Sequence, residues 1–502
     1  MSPARWRLVL TRSRRWLVLL LGTRQVLRTR TKLLIAVSIF ALSFATKSLH
    51  AVDLANLMYT TEQPFGGLTE SYDRRAVSIL AGEGLLGPYG IEPSNTQWIT
   101  QAPGYSIFLS GVYSLFDRNF FDAQLVQNLL NSLSAVLMFM IAGSLISWRV
   151  GVLSGLLAAL SHHLGHISNF ILPDEMNALP VLAGIYLLML ARRRLGDSHW
   201  AYAAAGIAIG LASWLRAQTM LLAVFAWLML AIISPKRMVA VRRGLLLAAF
   251  SILAISPITV RNYFVYGEFI PIQLGTGLNL WEGIADASGD RFGAVRADTE
   301  VASQEAALYN DPRYAGSWTT PDGIRRDRDR TRRSLDIILK HPAWYAGVML
   351  GRCADMLKYS AHAPLVLKID QASDRQRSAP MKRGWEGIAS DDSSLAVGRS
   401  LFWLRPVVRP LQRAGKETML SFIIIGAVSV FLMSWRRALF LLIVPLYYFV
   451  FQSAMHTEFR YTLPMQYFMF VFAATAWVLI GAAIVRVVKT MARNSYRSVA
   501  RR

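Results

Sequence analysis

Cysteine is nearly absent from this chain. Cys353 is the only one among 502 residues, which excludes an intrachain disulfide and a cysteine-based metal site. Acids are scarce as well: 31 Asp and Glu stand against 54 Lys and Arg. Residues 1–32 carry nine Arg or Lys and no acid. Internal repeats and low-complexity linkers are also missing, which argues against a transporter built from symmetric halves. The apolar stretch from Trp16 to Leu21 is too short for a signal peptide and lacks a small-residue cleavage site. Residues 1–32 therefore read as a basic cytoplasmic, partly interfacial segment.

Apolar residues are what the chain has in excess. They make up 54% of it, and the mean hydropathy is +0.34. Apolar blocks of about 15–22 residues recur between Arg/Lys clusters, the pattern of a multi-span membrane protein. The expected fold is all-α, a polytopic helical bundle of about ten spans and as many as twelve. The spans fall near 33–52, 125–146, 150–168, 174–191, 201–216, 218–234, 243–260, 418–434, 437–455 and 462–485. Further spans near 344–356 or 401–411 would raise the count. Arg149, residues 192–194, Lys236, Arg237, Arg242, Arg243, Arg436, Arg437 and the 486–502 tail sit in short loops or at the end. Such clusters mark the cytoplasmic side and place both termini there. The net charge of +23 thus reads as topology and contact with anionic headgroups, not as nucleic-acid binding.

This scheme leaves two long segments on the outer side: a first loop, 53–123, expected to bear short interfacial helices, and a region at 261–417. The transmembrane module covers 33–260, and closing helices cover 418–485. Polar residues gather at the outer ends. The first loop offers Glu70, Tyr72, Asp73 and Tyr105; a turn near 162–175 offers His162, His163, His166, Asp174 and Glu175. Arg261 and Asn262 close the seventh span, and Arg460 and Tyr461 precede the last. Polar groups at one end of a bundle are costly to bury idly.

Glu70 and Asp73 lie three apart, so on a helix they would share a face. One suits a general base and the other an acceptor-orienting or cation-binding role; two solvated loop acids are the plainer reading. Pro173-Asp174-Glu175 reads as a helix opening, with Asp174 as an N-terminal cap. Arg261 and Arg460 could grip a phosphate through the planar guanidinium fork, or simply snorkel to headgroups. The three histidines have the spacing to place two imidazoles on one metal but no fixed third ligand. No metal site is assigned, and a divalent cation is the one cofactor left open.

In their order these motifs resemble bacterial membrane glycosyltransferases of the GT-C superfold, in the protein-mannosyltransferase-like and RgtA/B/C/D-like branch. Glu70 with Tyr72 and Ala76 matches the first-loop acid, and Ala102-Pro103-Gly104-Tyr105-Ser106-Ile107-Phe108-Leu109 matches the Pro-Gly-Tyr turn. Gln127, Glu175, Arg216, Pro257, Arg261, Asn262, Arg460, Tyr461 and Pro464 follow in the same sequence. Three departures stand out: Glu70 where Asp is common, Ala102-Pro103 where two prolines are common, and a His-rich turn where proline is usual. The resemblance implies Glu70 as base, with Asp73 and Glu175 in the catalytic cleft. Tyr72, Tyr105, Arg216, Arg261, Asn262, Arg460 and Tyr461 would then bind the donor phosphate or substrate. It implies transfer, with inversion, of a monosaccharide from a polyprenyl-phosphate donor to a glycan, lipid or protein acceptor. The reaction would sit on the extracytoplasmic face of the bacterial inner membrane. Two other readings are a lipid-linked sugar flippase, which would carry charges midway along its spans, and an O-antigen polymerase or ligase, whose key acids sit in a late loop.

Overall fold

The computed structural model describes residues 17–22, 27–58, 66–85, 96–193, 198–357 and 405–499. Most of the basic segment 1–32, part of the first loop 53–123, part of the region 261–417 and residues 401–404 of the candidate span 401–411 lie outside these. Among the described residues every regular element is helical, as the apolar periodicity requires.

Helix α1 (Thr29–Met58) leads to α2 (Gly66–Leu80), which lies within the first loop, and to α3 (Gly104–Phe116). Then come α4 (Phe120–Leu145), α5 (Trp148–Ala159), the short α6 (His162–Ile167), α7 (Ala178–Arg193), α8 (His199–Leu215), α9 (Leu222–Ile233) and α10 (Arg237–Tyr266). Four helices reach the length and apolarity to cross a membrane unaided, at Thr29–Val52, Phe120–Leu145, Arg237–Tyr266 and Phe459–Arg493; shorter apolar helices stand beside them. α4 packs between α1, α5 and α7, and α8 lies against both α7 and α10. Gly206 and Gly210 meet the α10 backbone so closely that a Cβ at either would collide with it. Their four-residue spacing therefore serves helix packing.

Four more helices form a cap after α10: α11 (Thr276–Ser288), α12 (Asp298–Tyr309), α13 (Gly323–Lys340) and α14 (Pro342–Leu357). Its centre is Glu305, which accepts from Arg326 Nε at 2.6 Å and from Arg330 Nε at 2.6 Å and Nη2 at 2.9 Å. Arg333 adds a third guanidinium at 3.4 Å. The chain closes with α15 (Arg405–Met433), α16 (Trp435–Leu441), α17 (Ile443–Phe451) and α18 (Leu463–Val499). The expected 437–455 span is thus split at Leu442. At the end of the bundle remote from the cap, Arg437 Nη1 donates to the Leu145 carbonyl at the C-terminus of α4. A cation there favours the negative end of the helix dipole.

The fourth span departs from expectation most. α7 begins at Ala178, so Asp174 and Glu175 do not open a helix. They belong to a non-helical segment, 168–177, every residue of which is buried. Backbone polar groups there need partners that the apolar surroundings cannot supply. Helix α4 supplies them. Gln127 Nε2 donates to the Ser168 and Phe170 carbonyls at 2.7 and 3.0 Å, and Gln124 Nε2 to the Asn169 carbonyl at 2.7 Å. Asn128 pairs with the Asn169 side chain at 2.8 Å. The amides midway along α4 are there because the neighbouring chain is irregular.

Candidate active site

Helix α2 brings the first loop against the bundle. Its buried face carries Tyr72, Asp73, Arg75 and Ala76. Tyr72 meets Tyr105 edge-on with ring centroids 5.1 Å apart. Tyr105 Oη donates to Gln127 Oε1 at 2.7 Å, which ties the loop to the amides that hold 168–177. Gly104 fits because a Cβ there would strike the Trp214 carbonyl at 2.6 Å.

The two first-loop acids do not share an environment. Asp73 is buried, accepts from Tyr113 Oη at 2.9 Å, and is ion-paired with Arg118. It fastens α2 to α3 and the turn beyond. Glu70 is 69% exposed and pairs only loosely with Arg74, one helical turn on, at 3.1 Å.

Behind Tyr72 runs a chain of alternating charges. Asp174 pairs with Arg216, the guanidinium of Arg216 lies 4.7 Å from the centroid of the Tyr461 ring, and that of Arg460 lies 5.1 Å from it. Arg460 Nε donates to Glu458 at 2.5 Å. His456 then bridges Glu458, at 3.5 Å, and Asp286 of α11, at 2.5 Å. Burial raises the Tyr72 phenol, an effect the Arg216 guanidinium partly offsets, so Tyr72 faces this chain. Burial disfavours charge on His456, yet its bonds to Asp286 and Glu458 outweigh that and push it up to about 10. Glu458 is held below the usual carboxylate range: burial opposes this, but the His456 bond and the Arg460 charge prevail. Asp174 Oδ2 and Glu175 Oε2 are buried with no hydrogen-bond partner.

A cleft open to solvent lies along the same buried face of α2, one turn on from Tyr72 at Arg75. It is lined by Arg75, Trp98, Gln101, Trp214, Pro257 and Arg261 among others, with no acid in its wall. Arg261 Nη2 donates to the Leu85 carbonyl at 2.9 Å and Nη1 to Asn262 Oδ1 at 2.8 Å, while its Nε has no hydrogen-bond partner. Asn262 Nδ2 clamps the Ile270 and Ile272 carbonyls, so its role here is to turn the chain after α10. Burial lowers Arg75 to about 10, with the Arg261 charge adding to the effect.

The structure thus brings Tyr72, Tyr105, Asp174, Arg216, Arg460 and Tyr461 together, and sets Arg261 with Arg75 in the neighbouring cleft. Glu175 is enclosed: Lys47 Nζ stands 2.9 Å and Tyr467 Oη 2.5 Å from its Oε1. Sequence reasoning missed Arg75 and Lys47; Glu458 stands in the His456–Tyr461 turn, among the polar residues at the outer ends, but had no role assigned to it there. Lys47, a cation inside an apolar span, was the signal available for one of them. The histidines pack internally, His162 Nδ1 lying 3.2 Å from His50 Nε2 and His163 lying edge-on to Phe459. Among the described residues no three His, Cys, Asp or Glu side chains converge to hold a metal, so no step is drawn through one.

Several solved structures are similar to this chain. Archaeal oligosaccharyltransferase AglB from Archaeoglobus fulgidus, in complex with an inhibitory peptide and a dolichol-phosphate, shares 14% identity over 91% of this chain and 52% of its own, with a TM-score of 0.48. The same oligosaccharyltransferase with Zn and sulfate gives 12%, 89%, 51% and 0.46. ArnT from Cupriavidus metallidurans bound to undecaprenyl phosphate gives 13%, 91%, 78% and 0.34. The chain spans about half the length of the archaeal enzyme. No curated protein matches its sequence. Residues 100–260, which hold the Pro-Gly-Tyr turn, Gln127, Asp174, Glu175, Arg216 and Pro257, match the dolichyl-phosphate-mannose-protein mannosyltransferase family, consistent with a GT-C glycosyltransferase of that type.

Proposed function

We propose that the chain is an integral membrane glycosyltransferase that moves one monosaccharide from a polyprenyl phosphate to an acceptor hydroxyl on the extracytoplasmic side, with inversion. The observation that carries this reading is the cleft beside α2. Among the described residues two guanidiniums and no acid sit in its wall, with Gln101, Ser106 and Asn262 as the other polar side chains and Trp98, Trp214, Pro257, Ile258 and Ile272 supplying most of the apolar surface. That combination suits a phosphate joined to an apolar chain, since guanidinium forks grip phosphate bidentately. Arg261 and Arg75 would hold the leaving phosphate. Tyr72, Arg216, Arg460 and Tyr461 would face the sugar.

Glu70 would take the acceptor proton. Of the two first-loop acids it is the one open to solvent, whereas Asp73 is committed to Tyr113 and Arg118. Glu175 has no exposed side-chain surface and would act through the segment that holds Asp174.

The test is release of free polyprenyl phosphate from a polyprenyl-phosphate hexose by the purified protein in lipid. Glu70→Gln should slow that release by about 10²–10⁴-fold, as loss of a general base does, while donor binding persists. Absence of lipid-phosphate release by the wild type, with any hydroxyl acceptor class supplied, would sink the reading. A fully active Glu70→Gln would remove Glu70 from it.

A further inference from the structure

Lys47 lies within the mostly apolar helix α1, flanked by Thr46, Ser48 and His50, with 1% of its side chain exposed. It touches the irregular segment 168–177 twice. Its Nζ donates to Glu175 Oε1 at 2.9 Å, near the end of that segment. Its carbonyl accepts from Asn169 Nδ2 at 3.0 Å, near the beginning. One residue therefore staples both ends of the stretch that carries Asp174. Tyr467 completes the hold, donating to the same Oε1 at 2.5 Å. With Glu175 drawn to Lys47 and Tyr467, the preceding residue, Asp174, is left to meet Arg216.

A lysine so placed is costly in an apolar span unless it is paired and does something there. A pair that served folding alone could be replaced by apolar groups of similar volume without loss. The second contact, through the backbone carbonyl, adds something such a pair lacks: it sets the segment's register against α1. We infer that Lys47 is a positioning residue that holds 168–177 so that Asp174 stands against Arg216 at the site. Its bearing on transfer rests on the glycosyltransferase reading. Its bearing on the segment does not.

The experiment compares full-length wild type, Lys47→Met, Lys47→Arg and Lys47→Met/Glu175→Gln in lipid nanodiscs. Two quantities are read: backbone hydrogen exchange, and the kinetics of transfer from a polyprenyl-phosphate hexose. In Lys47→Met, exchange within 168–177 should rise roughly tenfold or more while the remaining helices keep their protection. Its kcat should fall about 10²-fold, the cost of a small misplacement at a reacting site, with donor KM within about threefold of wild type. Lys47→Arg keeps the charge and should recover kcat to within about tenfold. If Lys47→Met does not fold, the double variant removes both charges and is judged by the same two measurements. Unchanged exchange in 168–177, a rise spread evenly over the bundle, or a KM effect without a kcat effect would overturn the inference. If the wild type itself transfers nothing, the glycosyltransferase reading falls, and exchange in 168–177 still decides whether Lys47 holds the segment.

Discussion

Glu305 in the cap and the Asp174–Glu175 pair in the bundle are all without exposed side-chain surface, and their surroundings differ in kind. Both Glu305 oxygens are engaged, by Arg326, Arg330 and Arg333 together. The guanidiniums are in turn held: Arg326 donates to the Thr320, Pro321 and Tyr314 carbonyls, and Arg330 to that of Trp318. In the bundle each acid has one cationic partner, and one oxygen of each has no partner at all. A carboxylate with both oxygens taken up by guanidiniums is a fold-specifying element, and the nitrogens left over in this cluster, Arg330 Nη1 and Arg333 Nε, are donors rather than acceptors open to a ligand. A buried oxygen without a partner asks for an explanation, and a site awaiting substrate is one. The cap acid is therefore read as architecture and the bundle acids as parts of the site.

Removing each acid separates the two readings. Glu305→Ala takes the shared carboxylate from three guanidiniums and leaves only Asp327, 3.9 Å from Arg330; breaking a buried pair in this way costs about 3–5 kcal/mol. The thermal unfolding midpoint should fall sharply, with normal activity per folded molecule just below the transition. Asp174→Asn should do the opposite. It keeps the side-chain volume, so melting should barely move, but turnover should drop roughly 10²-fold as the charge beside Arg216 is lost. A Glu305 variant that melts normally yet fails to turn over would put the cap acid in the site and reverse the comparison.

A smaller effect tests the cleft. Arg261→Lys preserves charge and loses the fork, so donor affinity should weaken about tenfold while kcat holds. Arg460→Lys should affect kcat more than donor KM, because Arg460 is bound to Glu458 and stacked on Tyr461 rather than lining the cleft. Identical behaviour of the two variants would mean that both arginines hold one phosphate, although only Arg261 lines the cleft.

The helices were legible in the sequence because apolar run length and Arg/Lys breaks report them directly. The four-residue spacing of Gly206 and Gly210 permits a close helix contact but does not say that α10 is the partner. What failed to show was chain that is buried without being helical. Nothing local in residues 168–177 tells a buried coil from the first turn of α7; only the amides of α4, some 40 positions earlier, satisfy it. The same holds for Glu70 and Asp73. Their spacing predicts a shared face, but Tyr113 and Arg118 claim one of them, and those partners are separated from it by more than 39 positions. Side-chain partners distant in sequence decided which acids are free.

The last prediction concerns the join between cap and bundle, where His456 meets Asp286 of α11 and Glu458 of the loop before α18. Its side chain is 22% exposed, so solvent screens the pair only in part. The imidazolium is pushed up to about 10 from an ordinary value near 6.5, its two carboxylate bonds overcoming burial. A group whose pKa rises on folding binds its proton more tightly in the native state. Its contribution is then complete below about pH 6.5 and fades as pH climbs toward 10. Wild type should therefore lose part of its thermal stability between pH 7 and pH 10, and hydrogen exchange should rise in α11 before it rises in α4. His456→Gln retains a donor and carries no titrating charge, so its melting point should start lower and stay flatter over that range. Parallel wild-type and His456→Gln curves would show that the cap is held by its apolar contacts and that this charge pair adds little.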